Sequence, residues 1–269
     1  MQGQERLGGG CTMGKSIVFL DIDGTILNTK GEIPQATKDA VQALKDNGHY
    51  VAIATGRAPF MFEDIRKELD ITSFVSYNGQ YVVFEGEVIH RNPIERQHLL
   101  HLYDEASEKG HAMVFMGDTI MKASETDNSF VRDSLASLGF TYPEIDKDYF
   151  HHEPIYQSLL FCEEEEEQAY SDHHEHVRFI RWHPLSCDVL PADGSKKIGV
   201  TKLLEAADIP VHAAYACGDG LNDLEMIEFA GTGIVMGNAV PELKELADIQ
   251  TAHVDEDGLA LGLKKAGLI

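Results

Sequence analysis

Short apolar runs, each cut off by a polar, Gly-containing turn and followed by a helical stretch, limit the folds open to this chain more than any other feature. Ile17–Leu20 is a continuous apolar run ended by Asp-Ile-Asp-Gly, which reads as a strand buried on both faces. Residues Gln35–Asn47 then carry Ala36, Ala40, Val41 and Leu44 at helical spacing, with Pro34 suited to the first turn and Gly48 to the stop. Tyr50–Ala54 repeats the strand pattern, Phe60–Leu69 the helix, and Phe74–Tyr77 the strand again. Strands alternating with helices at this spacing imply right-handed βαβ units and a mainly parallel sheet.

The rhythm breaks at Tyr81–Phe84 and Glu87–His90, which are joined by Glu85-Gly86 and predict an antiparallel hairpin. From about Arg91 to Trp182 the chain is more polar and loses the alternation, which resumes at Lys196. A helix near Ile198–Ala207, a strand Ala213–Cys217, a helix Leu224–Ala230, a strand Gly233–Met236 and a helix near Pro241–Ala247 follow. The expected organisation is an α/β, Rossmann-like parallel-sheet core made of residues 13–84 and 187–269. An α+β domain, residues 85–186, is inserted between the two halves. Hinges are expected near Glu85–Arg91 and Leu185–Asp188.

Composition narrows the function. With 269 residues and 43% hydrophobic content the chain can bury one large core or two ordinary ones. No apolar run approaches the ~18 residues of a membrane helix. The formal net charge of −23 argues against nucleic acid as a partner, although a local cation and oriented N–H groups can still hold a phosphate. Cys11, Cys162, Cys187 and Cys217 show no CxxC spacing, which fits reduced thiols and a cytoplasmic location. Residues 1–12 (MQGQERLGGGCT) read as cloning-derived, with Met13 as the natural start. The acidic run Glu163–Glu167 reads as a solvated face. His173, His174 and His176 lack the further ligands that a metal site requires.

Four motifs carry chemistry. Asp21-Ile22-Asp23-Gly24-Thr25 follows a buried strand directly, at the edge where open α/β sheets bind ligands. Its two carboxylates are separated by one residue, and their repulsion requires a cation or a shared proton; an ordinary turn after a strand is the alternative. Ala54-Thr55-Gly56-Arg57 ends the second strand and offers a hydroxyl and N–H groups to phosphate oxygens, although a helix-capping Thr55 explains it equally well. Lys196, in Gly194–Gly199, is by itself an ordinary lysine. Gly218-Asp219-Gly220-Leu221-Asn222-Asp223 supplies two carboxylates and an amide after another buried strand, where Asx capping is the alternative.

In this order and at these places, the motifs resemble those of the haloacid dehalogenase-like hydrolases, and among them the Cof-type phosphatases. Tyr77-Asn78-Gly79, Met236-Gly237-Asn238-Ala239 and Glu256-Asp257-Gly258 extend the resemblance. The insert matches the family's α+β cap in position and length.

The resemblance implies a phosphoric monoester hydrolase in which Asp21 is the nucleophile and forms an aspartyl-phosphate, with Asp23 as general acid and base. Mg²⁺ would be bound by Asp21, the Asp23 carbonyl and Asp219, with Asp223 behind them. Ile22, Thr55, Gly56, Lys196 and Asn222 would hold the phosphoryl oxygens, Lys197 being the competitor for the lysine role. Arg57 is either a contact to a second anionic group of the substrate or part of a core salt bridge. The expected substrate is a small phosphorylated metabolite, a sugar phosphate or a phosphorylated cofactor. A phosphomutase shares every core residue, and a sugar-phosphate binding protein without activity is the reading from a different class. Substrate identity and oligomeric state are not legible.

Overall fold

A computed structural model describes residues 15–269; the segment read as cloning-derived, with Cys11 and Met13, lies outside the described residues. Strand β1 (Ile17–Leu20) is buried along its whole length. It pairs in parallel with β2 (Tyr50–Ala54), which pairs in parallel with β3 (Ser73–Ser76). β4 (Tyr81–Phe84) and β5 (Glu87–Arg91) then add as an antiparallel hairpin.

The chain next builds a separate antiparallel sheet from β6 (Ala112–Met116), β7 (Met121–Ala123), β8 (Gln157–Phe161), β9 (Val177–His183) and β10 (Ser186–Pro191). It returns to the first sheet with β11 (Ala214–Gly218), β12 (Thr232–Val235) and the short β13 (Ile249–Gln250). The large sheet has eight strands in the order β13-β12-β11-β1-β2-β3-β4-β5, and the small one five in the order β7-β6-β8-β10-β9.

The α/β core with an inserted α+β domain is therefore present, but its crossovers fall later than the hydrophobic pattern suggests. Strand β5 belongs to the large sheet, and residues 187–191 belong to the small one within β10. The insert thus leaves after Arg91 and returns after Pro191, not at 85 and 186, and the expected hinge segments fall in the β4–β5 and β9–β10 hairpins, each within one sheet. The physical reason is that β5 and β10 are paired on their neighbours, and pairing leaves no mark in one strand's own sequence.

Alternation across β1 divides the large domain into two layers. Val18 and Leu20 pack on one face with Val41 and Leu44 of helix Gln35–Asp46 and Leu263 of helix Gly258–Lys265. Ile17 and Phe19 pack on the other with Val200 and Leu203 of helix Lys196–Ala207 and Met226 of helix Leu224–Phe229. Each of these side chains contributes about 1.5–3 kcal/mol on full burial, so a charged residue at position 18 or 19 would open a layer.

The parallel register decides where the chemistry goes. Leu20 pairs with both Ile53 and Cys217, so the residues that follow (Asp21, Ala54-Thr55 and Gly218-Asp219) emerge side by side at one edge. Helix Lys196–Ala207 can approach that edge because Gly79, at φ +101°, presses against the Ser195 carbonyl where any Cβ would collide.

Helices Arg96–Lys109 and Glu164–His173 cover one face of the small sheet. The acidic run starts the second of them: Glu163 and Glu166 form a capping box, and Glu163–Glu166 are exposed. Carboxylates there meet the positive end of the helix. His173 and His174 both contact Glu105, at 3.2 and 2.9 Å, which places the two histidines on one carboxylate.

Candidate active site

Three carboxylates and one ammonium meet at the carboxyl edge of the large sheet. Lys196 is fully buried, and its Nζ donates to Asp21 Oδ1 at 2.6 Å and to Asp223 Oδ1 at 2.7 Å. Asp223 Oδ2 accepts from the N–H groups of Asp219 and Gly220, both at 3.0 Å, so both of its oxygens are occupied. Asp219 accepts from Asn238 Nδ2 at 3.0 Å and from Thr25 Oγ1 at 3.4 Å. Asn238 also donates to the Gly24 carbonyl and accepts from Val254 N–H, which ties the first motif to the loops after β11, β12 and β13. Gly24, at φ +76°, lies so close to Asp219 that a Cβ would overlap its carboxylate.

Carboxylate oxygens of Asp21, Asp219 and Asp223 all lie within 4.8 Å of one another. Burial pushes Asp21 up to about 8; Lys196 opposes the shift and Asp223 adds to it. Burial and then the Asp223 charge push Asp219 up to about 6. Burial pulls Lys196 down, but the Asp21 and Asp223 carboxylates more than reverse it and keep the ammonium charged. One ammonium against three carboxylates leaves excess negative charge on hard oxygen donors. That donor chemistry fits a divalent cation such as Mg²⁺, which would restore the anionic form of Asp21.

The rest of the site forms a rim. Asp23 turns outward: its side chain is 63% exposed and takes a two-point contact from Arg57, Nε to Oδ2 at 3.0 Å and Nη2 to Oδ1 at 2.6 Å. Arg57 forms a salt bridge, but not a core one: its partner is the exposed Asp23 at the mouth of the site. Thr55 is buried, and its Oγ1 accepts from Arg57 N–H at 3.1 Å. Asn222 is exposed and donates to Asn78 Oδ1 at 3.4 Å, and Gly56 lies against the same Asn78 amide. Ile22 is fully buried between the two aspartates, anchoring the turn. Lys197, the alternative lysine, is exposed and lies over the Phe229 ring at 5.4 Å.

Two residues of the site have no individual role in the sequence reading. Asn238 cross-links Asp219 to Gly24. Asn78 is delivered by three successive left-handed residues, Tyr77, Asn78 and Gly79. The signal for both was their placement: Asn238 comes three residues after β12, and Asn78 two after β3, so each lies near the same sheet edge.

Comparison with known proteins gives this arrangement a family. A family model described as haloacid dehalogenase-like hydrolase matches residues 18–263. The chain belongs to the haloacid dehalogenase-like hydrolases. It is 48% identical over 257 residues to "Putative phosphatase YkrA" of Bacillus subtilis (strain 168), covering 96% of this chain and 100% of that one. A crystal structure of a hypothetical protein from Geobacillus kaustophilus HTA426 superposes with a TM-score of 0.93 at 51% identity, covering 95% of this chain and 100% of the other. The HAD subclass IIB sugar phosphatase BT4131 superposes with a TM-score of 0.81 at 26% identity, over 95% and 100% of the two chains. Within its family this haloacid dehalogenase-like chain is a phosphatase. No helix of the described residues is long and apolar enough to cross a membrane.

Proposed function

We propose that this phosphatase hydrolyses small phosphorylated metabolites in the cytoplasm, by way of an aspartyl-phosphate on Asp21 and with the help of Mg²⁺. The observation that carries the reading is the buried contact of Lys196 with both Asp21 and Asp223 beside Asp219. Lys196 fixes one oxygen of Asp21 and leaves the other to attack phosphorus, with the C–O–P bond forming as the ester bond breaks. The same ammonium, with Thr55, the N–H groups of Ile22 and Gly56, and Asn222, stabilises the charge that grows on the phosphoryl oxygens.

Asp23 sits at the mouth, where the departing alkoxide must collect a proton and where water must later lose one. Its exposure and its Arg57 contact suit a group that meets substrate only once the ester is in place. Asp21, Asp219 and the Asp23 carbonyl would hold Mg²⁺, with Asp223 orienting the Asp219 loop through its two N–H bonds. When bound, the ion supplies electrostatic stabilisation to the transferring group and shields Asp21 from its neighbours. The sugar phosphatase likeness supports a small substrate.

The test is phosphate release from 4-nitrophenyl phosphate, with Mg²⁺ and with a chelator, by the wild type and by Asp21→Asn. Release that needs Mg²⁺ and falls by at least about 10⁴-fold in the variant is the expected result. Undiminished release by Asp21→Asn would remove Asp21 from the chemistry.

A further inference from the structure

The small sheet turns a largely apolar face, set with a few polar side chains, toward the catalytic domain. On β9 and β10, Val177, Phe179, Cys187 and Val189 point into the helix-covered core of the insert. Alternation puts Arg178, Asp188 and Leu190 on the opposite face, and the pairing agrees: Arg178 lies opposite Leu190, and Asp188 lies opposite both Ile180 and Leu159. Leu159 and Met116 of that face join the same apolar cluster as Tyr77, the residue before Asn78 of the rim. Gln157, paired with Met116, shares the face. The Asp188 charge acts on the Tyr77 hydroxyl, and Glu225, two residues beyond Asp223, acts on Arg178. This face therefore overlooks the site.

Its charges are not neutralised within the protein. Among the described residues Arg178 makes no ion pair, and its buried Nε has no hydrogen-bond partner; the same holds for Gln157 Oε1. Burial lowers the Arg178 pKa and pushes Asp188 up to about 7. A shielded guanidinium with no ion pair and a buried amide oxygen with no donor are costly unless a ligand completes them.

We propose that Arg178, Asp188 and Gln157 recognise the non-reacting part of the substrate, and that this substrate is a hydroxylated phosphate ester carrying a second anionic group. Arg178 takes the second anion, and Asp188 and Gln157 take the hydroxyls. The inference rests on the phosphatase reading above and adds the substrate class to it.

A matched pair of probes tests it: gluconate 6-phosphate, and glucitol 6-phosphate, in which a hydroxymethyl group replaces the carboxylate. 4-Nitrophenyl phosphate reports the chemistry alone. The wild type should prefer the acid by kcat/KM. Arg178→Ala should lower kcat/KM for the acid relative to the alcohol by about 10- to 100-fold, mainly through KM. Asp188→Ala should lower both polyol esters relative to the aryl ester.

Hydrolysis of the aryl ester with no preference for the acid, or with a preference unchanged in Arg178→Ala, would overturn the inference and leave the phosphatase reading intact. Equal losses on all three esters, reproduced by Glu225→Gln, would also overturn it, because Arg178 would then be a latch onto the catalytic domain. No release from any ester would overturn both readings.

Discussion

The catalytic edge of the large sheet and the facing surface of the small sheet both bury charge, but in opposite ways. At the edge each of these groups has hydrogen-bond partners, although one ammonium among three carboxylates leaves net negative charge: Lys196 has two carboxylates, Asp223 an ammonium and two N–H groups, and Asp219 has Asn238 and Thr25. On the facing surface Arg178 and Asp188 make no ion pair among the described residues, and polar atoms of Arg178 and Gln157 have no partner. A closed network fixes atoms to a fraction of an ångström, as bond-making requires. An open one leaves polar groups to be completed by whatever binds. The difference separates the part of the molecule that any phosphate ester needs from the part that chooses among esters.

The largest expected effect comes from opening the closed network. Lys196→Met leaves Asp21 and Asp223 buried without their shared cation, and should cost about 3–5 kcal/mol of stability in urea unfolding at neutral pH. A loss under about 1 kcal/mol would show that the edge is no more closed than the facing surface.

The next effect comes from the open side. Burial raises Asp188 to about 7 in the folded protein, against 3.8 for a free aspartate. Its folded pKa is therefore the higher one, and the native state holds a proton that the unfolded chain has released. Stability from this group is present below pH ~4 and is lost as pH rises through about 7. Asp188→Asn should match the wild type near pH 4 and exceed it at pH 8, by on the order of 1–3 kcal/mol. Thermal unfolding across that range reads the difference, and a variant that is less stable at pH 8 would mean that Asp188 is already satisfied.

The smallest effect is expected at the rim. The Arg57–Asp23 pair is 32% and 63% exposed, so Arg57→Ala should change stability by less than about 1 kcal/mol. A larger loss in urea unfolding would extend the closed network outward to the mouth.

What could be read from the sequence follows the same division. Asp21, Thr55 and Asp219 were legible because each follows a buried strand, where the apolar pattern stops abruptly and polar residues have a reason to be. Nothing in the residues themselves separates Lys196 from Lys197; in the structure the first is buried and the second exposed. Arg178 and Asp188 were not legible, because alternate polar residues in a strand look the same whether they face water or a second domain. The insert's boundaries were misplaced for a related reason: β5 and β10 carry nothing that says which sheet they join. The outward turn of Asp23 was hidden as well, since residues two apart share a face only in a straight strand, and β1 ends at Leu20, before both aspartates.

The two ends of the insert meet. Asn92 Nδ2 donates to Asp193 Oδ1 at 3.0 Å and to Gln80 Oε1 at 2.8 Å, so the long excursion closes within a hydrogen bond of where it began. With its two ends side by side, the insert enters the large domain as one enlarged loop, and the entropy of closing a loop grows only slowly with its length. Exchange of the whole segment between Asn92 and Asp193 for another module would leave the strands and the lysine-bearing helix where they are. Selectivity can therefore be grafted or evolved as a unit without rebuilding the machinery beneath it.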